Sequence, residues 1–252
     1  MKKAQVTLFV IIAIVIVAGI LLFFLVRNNV ISIPGITPAM PDVQSIIDKC
    51  VRDATSDVIN LMLPTGGFIS PDNYKLYENN KVQYLCYNSN YYQTCINQQP
   101  LYIQHLQSEI KSYITPKVEE CFNNLEKDLR KKGFDVSSQN EEVSVVLVPK
   151  QADVFIDKNI QISRNDETKN FDKFRVSVNS PIYDLANIAI EIVNQEAKYC
   201  YFEYLGFQMT YPNYVIEKKD IDGETKIYTI KEKLSGKQLN IAIRSCAFPA
   251  GI

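Results

Sequence analysis

The sequence predicts an α+β protein, in which an N-terminal transmembrane helix is followed by an extracytoplasmic domain with an antiparallel sheet and three main helices. Three observations support this fold class. An uncharged apolar run spans residues 6–26, later segments repeat apolar residues at helical spacing, and two further regions alternate or cluster as strands. The predicted boundaries are a transmembrane anchor at 1–27, a proline-rich spacer at 28–41 and the α+β domain at 42–252.

The anchor is predicted from the run VTLFVIIAIVIVAGILLFFLV, which has 21 residues and no charge. As a helix it would span roughly 30 Å, the thickness of a bilayer core. A cleaved signal peptide has a shorter apolar region of about 7–15 residues, so a retained helix is favoured. Lys2 and Lys3 precede the run, and Arg27 alone follows closely, which places the N-terminus inside. The predicted location is therefore the plasma membrane, single-pass, with a cytoplasmic N-terminus and membrane lipid as a partner.

The residues ahead of the run indicate an alternative. The segment Lys2-Lys3-Ala4-Gln5 resembles the class III leader of archaeal type IV pilins, in which two cations and a small residue precede an apolar helix. The resemblance implies cleavage between Ala4 and Gln5 and assembly into a filament through the apolar helix. Pilins commonly carry a glutamate five residues into the mature chain, and the sequence departs from that pattern because Phe9 stands there.

Beyond the spacer, the spacing of apolar residues predicts helices at 42–62, 101–132 and 181–198. Pro116 should kink or split the second helix. Strands are predicted at 143–148, 154–156, 174–178, 213–218, 226–231 and 238–246. The pairs Asp222-Gly223 and Ser235-Gly236 have the composition of hairpin turns.

Six cysteines follow the apolar run, namely Cys50, Cys86, Cys95, Cys121, Cys200 and Cys246. Disulfides persist outside the cytoplasm, so their position and even number predict bridges. Six cysteines allow 15 connectivities, and the sequence does not fix the pairing. Cys86 and Cys95 bracket a tight loop, and Cys50 and Cys121 lie on the apolar faces of two helices, which would leave Cys200 with Cys246. Buried free thiols are the alternative for some of them.

Signatures of chemistry are missing from the sequence. It contains no nucleophile elbow, zinc-protease helix motif or phosphate-binding glycine loop, and its single histidine, His105, stands apart from the cysteines. Neither a cofactor nor a metal is therefore predicted. Glu119-Glu120 and Glu141-Glu142 leave an envelope hydrolase as a third class of function. With a net charge of −1 and no basic cluster, the chain is not expected to bind nucleic acid.

The loop from Tyr74 to Tyr92 is the feature most typical of a binding surface, because tyrosine offers a large contact area at low entropic cost. Its candidate binding residues are Tyr84, Tyr87, Tyr91 and Tyr92. The alternative is an aromatic cluster that packs the loop onto the domain. The predicted function is a cell-surface protein with a structural, adhesive or partner-binding role. Its partners would be other surface proteins or copies of itself.

Several segments along the chain resemble a family of membrane-anchored envelope proteins of small-genome archaea. These segments are KKAQVTLF, LPTGGF, VEECFNNLE, KGFDV and FDKFRVSVNSPIYDLANIAIEIVNQE. The resemblance implies a surface location, and it implies no particular activity.

Overall fold

The computed structural model describes residues 12–20, 41–164 and 167–249, with the backbone alone at 140 and 141. The chain divides into two compact units, Met1–Asp42 and Val43–Ile252. In the first unit, helix α1 covers residues 12–20. The second unit holds all the elements that follow.

The predicted membrane anchor is the main correction. Across the described ranges, no helix is both long enough and apolar enough to cross a membrane. The prediction of a single-pass anchor, and of a plasma-membrane location built on it, is therefore wrong. Ala4 and Gln5, the predicted leader cleavage site, lie outside the described residues.

Among the described residues of the second unit, the α-helices are α2 (Val43–Met62), α3 (Tyr102–Lys131), α4 (Ile182–Tyr199) and α5 (Tyr204–Thr210). The first three are amphipathic and bury their apolar stripes, as their spacing predicts. Pro116 lies inside α3 without dividing it. Proline has no N–H, so the Ser112 carbonyl loses its helical partner. Pro116 and Ser112 both face solvent, and water can satisfy that carbonyl. Helix α5 was not predicted.

The larger sheet has the strand order β1-β2-β9-β8-β7, with β3 beside β2. Its strands are β1 (Tyr74–Tyr77), β2 (Asn80–Tyr87), β3 (Ile96–Asn97), β7 (Tyr214–Ile221), β8 (Thr225–Glu232) and β9 (Gln238–Arg244). Strands β2 and β9 pair in parallel and the other pairs are antiparallel. The predicted purely antiparallel sheet is thus wrong at this pair. The long stretch of chain between β2 and β9 provides the crossover that a parallel pair requires.

The smaller sheet is an antiparallel meander of β4 (Asp135–Val148), β5 (Gln151–Arg164) and β6 (Glu167–Asn179). Its apolar face packs against α2 and α3, where the rings of Phe122 and Phe174 meet edge to face with centroids 5.2 Å apart. The strands are longer than predicted. Their outer halves are mostly polar, so those halves lack the apolar pattern that predicts a strand from the sequence.

Three disulfides join the elements, which confirms the prediction of disulfide bonds. Cys50–Cys121 joins α2 to α3, Cys86–Cys95 closes the connection between β2 and β3, and Cys200–Cys246 joins the end of α4 to the chain after β9. All six cysteines lie in the described part, and none is free.

A buried polar cluster fixes α4 to the larger sheet. Glu196 of α4 is fully buried, and its carboxylate accepts hydrogen bonds from the Lys226 ammonium, at 2.6 Å, and from the Tyr228 hydroxyl of the same strand, β8. The Lys226 ammonium also donates to the Cys200 carbonyl. Burial, followed by the charge of Glu196, raises the pKa of Tyr228, so its hydroxyl remains a donor. The cluster therefore holds an ion pair away from water.

Replacing Glu196 should destabilise the protein strongly. Glu196→Gln leaves the Lys226 ammonium without its counter-ion, and breaking a buried pair costs about 3–5 kcal/mol. The double variant Glu196→Gln/Lys226→Met should recover most of the loss, because no charge then remains buried. Urea denaturation measures both variants. Additive losses in the double variant would contradict the pairing.

The disulfides should contribute unequally. Loop entropy gives about 4 kcal/mol for Cys50–Cys121, with a sequence separation of 71, and about 3 kcal/mol for Cys86–Cys95, with a separation of 9. In urea denaturation, the Cys50→Ala/Cys121→Ala variant should therefore lose about 1–2 kcal/mol more than Cys86→Ala/Cys95→Ala. Each double variant is the control for the other, because both remove two largely buried sulfurs. A larger loss from the short loop would refute the entropic ranking.

Candidate functional site

The four tyrosines predicted as a binding loop fall into two groups. Tyr84 lies on β2, is 6% exposed, and has its hydroxyl 2.7 Å from the Thr225 hydroxyl. Burial raises its pKa. Tyr87, at the end of the strand, meets Tyr84 edge to face at 5.1 Å, and both rings pack against a cluster that includes Ile227 and Ala242. These two tyrosines belong to the packing of the sheet.

Tyr91 and Tyr92 are exposed, at 39% and 58%, on the loop that the Cys86–Cys95 bridge closes. The Tyr92 ring meets Phe248 edge to face at 5.4 Å. The Tyr91 hydroxyl donates to Glu224 at 2.9 Å, and the Arg244 guanidinium lies 4.9 Å from the centre of its ring. The predicted binding role stays a prediction for these two rings alone.

His105 is a packing residue. Its ring lies 4.0 Å from that of Phe68, and burial lowers its pKa, which favours the neutral form. In the part of the chain that the structure describes, no group of three or more histidine, cysteine, aspartate or glutamate residues is arranged to hold a metal ion.

A cleft of about 630 Å³ opens between α4, α5 and β7. Its volume lies within the range of roughly 300–1,000 Å³ that is typical of small-molecule sites. The lining consists of four aromatic rings, two carboxylates, one amide and one aliphatic side chain: Tyr183, Phe207, Tyr211, Tyr214, Asp184, Glu191, Asn187 and Ile188. Aromatic surface with a few convergent polar groups is the usual composition of a ligand site.

Helix α4 supplies one wall because of its periodicity. Asp184, Asn187 and Glu191 are three and four residues apart, so they share one face of the helix. Leu185 and Ile192 are fully buried on another face, which packs into the core. One helix thus anchors itself with its apolar side and presents polar groups and rings to the cleft.

Helix α5 and the start of β7 supply the other wall. The rings of Phe207 and Tyr211, four residues apart, stack with centroids 4.5 Å apart. The Glu203 carboxylate caps α5 by accepting from the Gly206 N–H at 3.1 Å. The side-chain oxygen of Gln208 accepts from the Ile216 N–H at 2.9 Å, which ties α5 to β7. These contacts hold α5 in place, since none of its own residues is buried.

The cleft is acidic. Asp184 accepts from the Lys150 N–H at 2.8 Å and Glu191 accepts from the Gln195 amide at 2.6 Å, and each carboxylate keeps further acceptor capacity. Burial, with the charges of Asp184 and Glu232, raises the pKa of Tyr214. The Tyr214 phenol therefore stays protonated at neutral pH and able to donate. None of the lining residues, all within the described chain, is lysine or arginine.

This site was not predicted from the sequence. Its polar residues recur at helical spacing on α4, and that recurrence was the available signal, but the pattern is also typical of a solvated helix face. The opposing wall comes from α5, which has no apolar periodicity to reveal it.

Alanine substitutions should separate the two groups of tyrosines. Tyr84→Ala should lower the free energy of unfolding by about 3 kcal/mol, because it empties a buried aromatic site. Tyr91→Ala and Tyr92→Ala should each change it by less than about 0.5 kcal/mol, since their rings face solvent. Urea denaturation measures the three variants. A loss from Tyr92→Ala as large as that from Tyr84→Ala would show that the exposed loop is needed for packing.

Comparison of the chain with protein-family models, with curated proteins and with solved structures finds no match. The resemblances to archaeal envelope proteins and to pilin leaders accordingly stay predictions, and the role of the cleft is inferred from its residues.

Proposed function

We propose that the unit Val43–Ile252 is a binding domain whose site is the cleft between α4, α5 and β7. The lining of the cleft carries this proposal: four aromatic rings, two carboxylates and an amide converge on a cavity of about 630 Å³. Rings give contact area with little loss of side-chain entropy, and the polar groups orient what binds.

Preorganisation of the α4 wall supports the binding role. Helix α4 is held to the larger sheet by the buried Glu196 and by the Cys200–Cys246 bridge. A wall that is already ordered adds little entropic cost when a ligand arrives, so more of the contact energy appears as affinity.

The arrangement of the carboxylates favours binding over hydrolysis. Asp184 and Glu191 lie seven residues apart on one helix, which separates them by roughly 10 Å along the same wall. A hydrolase that uses two carboxylates places them on either side of the bond to be broken. Carboxylates along one wall are better suited to holding a ligand.

The loop closed by Cys86–Cys95 is a second candidate surface for an adhesive or partner-binding role. The rings of Tyr91, Tyr92 and Phe248 are exposed and adjacent, and clustered exposed rings are typical of protein contact sites. Another protein or a second copy of the chain would be the partner there.

Blocking the cleft should abolish ligand binding. Asn187 is an exposed lining residue, so Asn187→Trp should fill the cleft without disturbing the core. We expect members of a fragment library that contains cationic, neutral and anionic compounds to shift the methyl resonances of Ile188 in NMR spectra of the full chain. The same fragments should leave Asn187→Trp unchanged.

The matched control is Asn124→Trp, which adds the same ring at an exposed position of α3 outside the cleft. It should bind as the unmodified chain does. The proposal fails if no fragment of any charge class reaches Ile188, or if Asn187→Trp binds as well as the control.

A further inference from the structure

We propose that the ligand of the cleft is an organic cation that presents one or more ammonium or guanidinium groups. This inference rests on the binding role proposed above and adds the chemical class of what is bound. Its support comes from the charge of the lining, from the lack of a lysine or arginine over the described rings of the cleft, and from the spacing of the two carboxylates.

The charge of the lining selects against anions. Asp184 and Glu191 contribute two carboxylates, and Glu232 lies close enough to Tyr214 to act on its phenol. An anionic ligand would meet like charge in a partly desolvated space, whereas a cation would gain both from the carboxylates and from the faces of the rings.

Elsewhere in the described chain, the protein's own cations lie over eleven of the other aromatic rings. Lysine or arginine lies within 6 Å of the ring centre at seven tyrosines and four phenylalanines: Tyr74, Tyr77, Tyr87, Tyr91, Tyr113, Tyr199, Tyr201, Phe122, Phe134, Phe155 and Phe171.

The rings of the cleft belong to the described rings that have no such cation, as Tyr92 and Phe248 also do. Among the described residues, no lysine or arginine lies over Tyr183, Phe207, Tyr211 or Tyr214. Ring faces and carboxylates therefore meet in one cavity without an internal counter-ion. A cation from outside the domain would supply that counter-ion.

The spacing of the carboxylates indicates an elongated ligand. Their separation of roughly 10 Å along α4 matches the distance between two charges on a linear polyamine. It also matches two basic side chains three residues apart on a peptide in the polyproline II conformation, which has three residues per turn and rises about 3.1 Å per residue. The shared chemistry is a pair of organic cations, and the two sources are a free polyamine and a basic segment of another protein.

Isothermal titration calorimetry on the full chain tests the inference with three cationic probes. They are tetramethylammonium, spermidine, and a blocked peptide with two lysines three residues apart. The neutral controls are tert-butanol and the same peptide with both lysines acetylated. Tetramethylammonium and the lysine peptide should each bind at least about tenfold more tightly than their neutral counterparts, and the affinity of all three cations should fall as salt rises from about 0.05 to 0.5 M.

Variants assign the binding to the cleft. Asp184→Asn and Glu191→Gln remove charge while keeping an acceptor oxygen, and Tyr211→Leu keeps apolar area while removing the ring. Each should weaken the binding of spermidine and of the lysine peptide about fivefold. Glu119→Gln and Tyr113→Leu make the same changes on α3, outside the lining, and should leave the affinity unchanged.

The outcomes separate this inference from the proposed function. Tighter binding of spermidine would identify a free polyamine as the ligand, and tighter binding of the peptide would identify a protein segment. The inference is overturned if neutral compounds bind the cleft as well as cations do, or if the α3 controls weaken binding as much as the cleft variants; the binding role then stands on the fragment experiment. Failure of every probe and every fragment to reach the cleft would overturn both.

Discussion

The position of α4 depends on one buried carboxylate. Glu196 is fully buried, and leaving it there without partners would cost several kcal/mol, so α4 must keep it within reach of Lys226 and Tyr228 on β8. That requirement fixes both the rotation of the helix about its axis and its register along the sheet. Asp184 and Glu191 lie on the same rigid helix, so the cluster around Glu196 also decides that they face the cleft.

The same cluster also connects two of the disulfides with the parallel pair β2 and β9, whose strands lie far apart in the sequence. Lys226 donates to the carbonyl of Cys200, and the Ser245 hydroxyl donates to the Glu196 carbonyl and accepts from the Cys95 N–H. The bridges of Cys200 and Cys95 thus meet beside the parallel strands β2 and β9. Pairing strands so far apart in sequence carries a large loop-closure entropy. Neither bridge joins β2 to β9 directly; they crosslink the chain next to the pair, across sequence separations of 9 and 46.

Predictions from the sequence were correct where interactions between residues close in sequence determine the structure. Apolar periodicity predicted α2, α3 and α4, and Asp222-Gly223 forms the expected hairpin turn with φ angles of 56° and 69°. The predictions failed where contacts between residues far apart in the sequence determine the structure. The parallel pairing of β2 with β9 has no local signal, and α5 is short and buries none of its residues. Among the tyrosines, strand position rather than residue type separates Tyr84, which faces the core, from the exposed Tyr92. The apolar run at 6–26 predicted a spanning helix from hydropathy alone, whereas no helix among the described residues is long and apolar enough to cross a membrane.

The two walls of the cleft differ in what holds them, and this difference bears on how a ligand would be recognised. Helix α4 combines a buried apolar face with a buried ion pair, so displacing it would expose core and break the Glu196 cluster. Helix α5 rests on a carboxylate cap, one hydrogen bond from Gln208 and the stacking of Phe207 against neighbouring rings. Regions with few buried contacts open at low free-energy cost. The carboxylates therefore stand on the rigid wall and set the charge and spacing that a ligand must match, whereas Phe207 and Tyr211 stand on the wall that adapts to its shape.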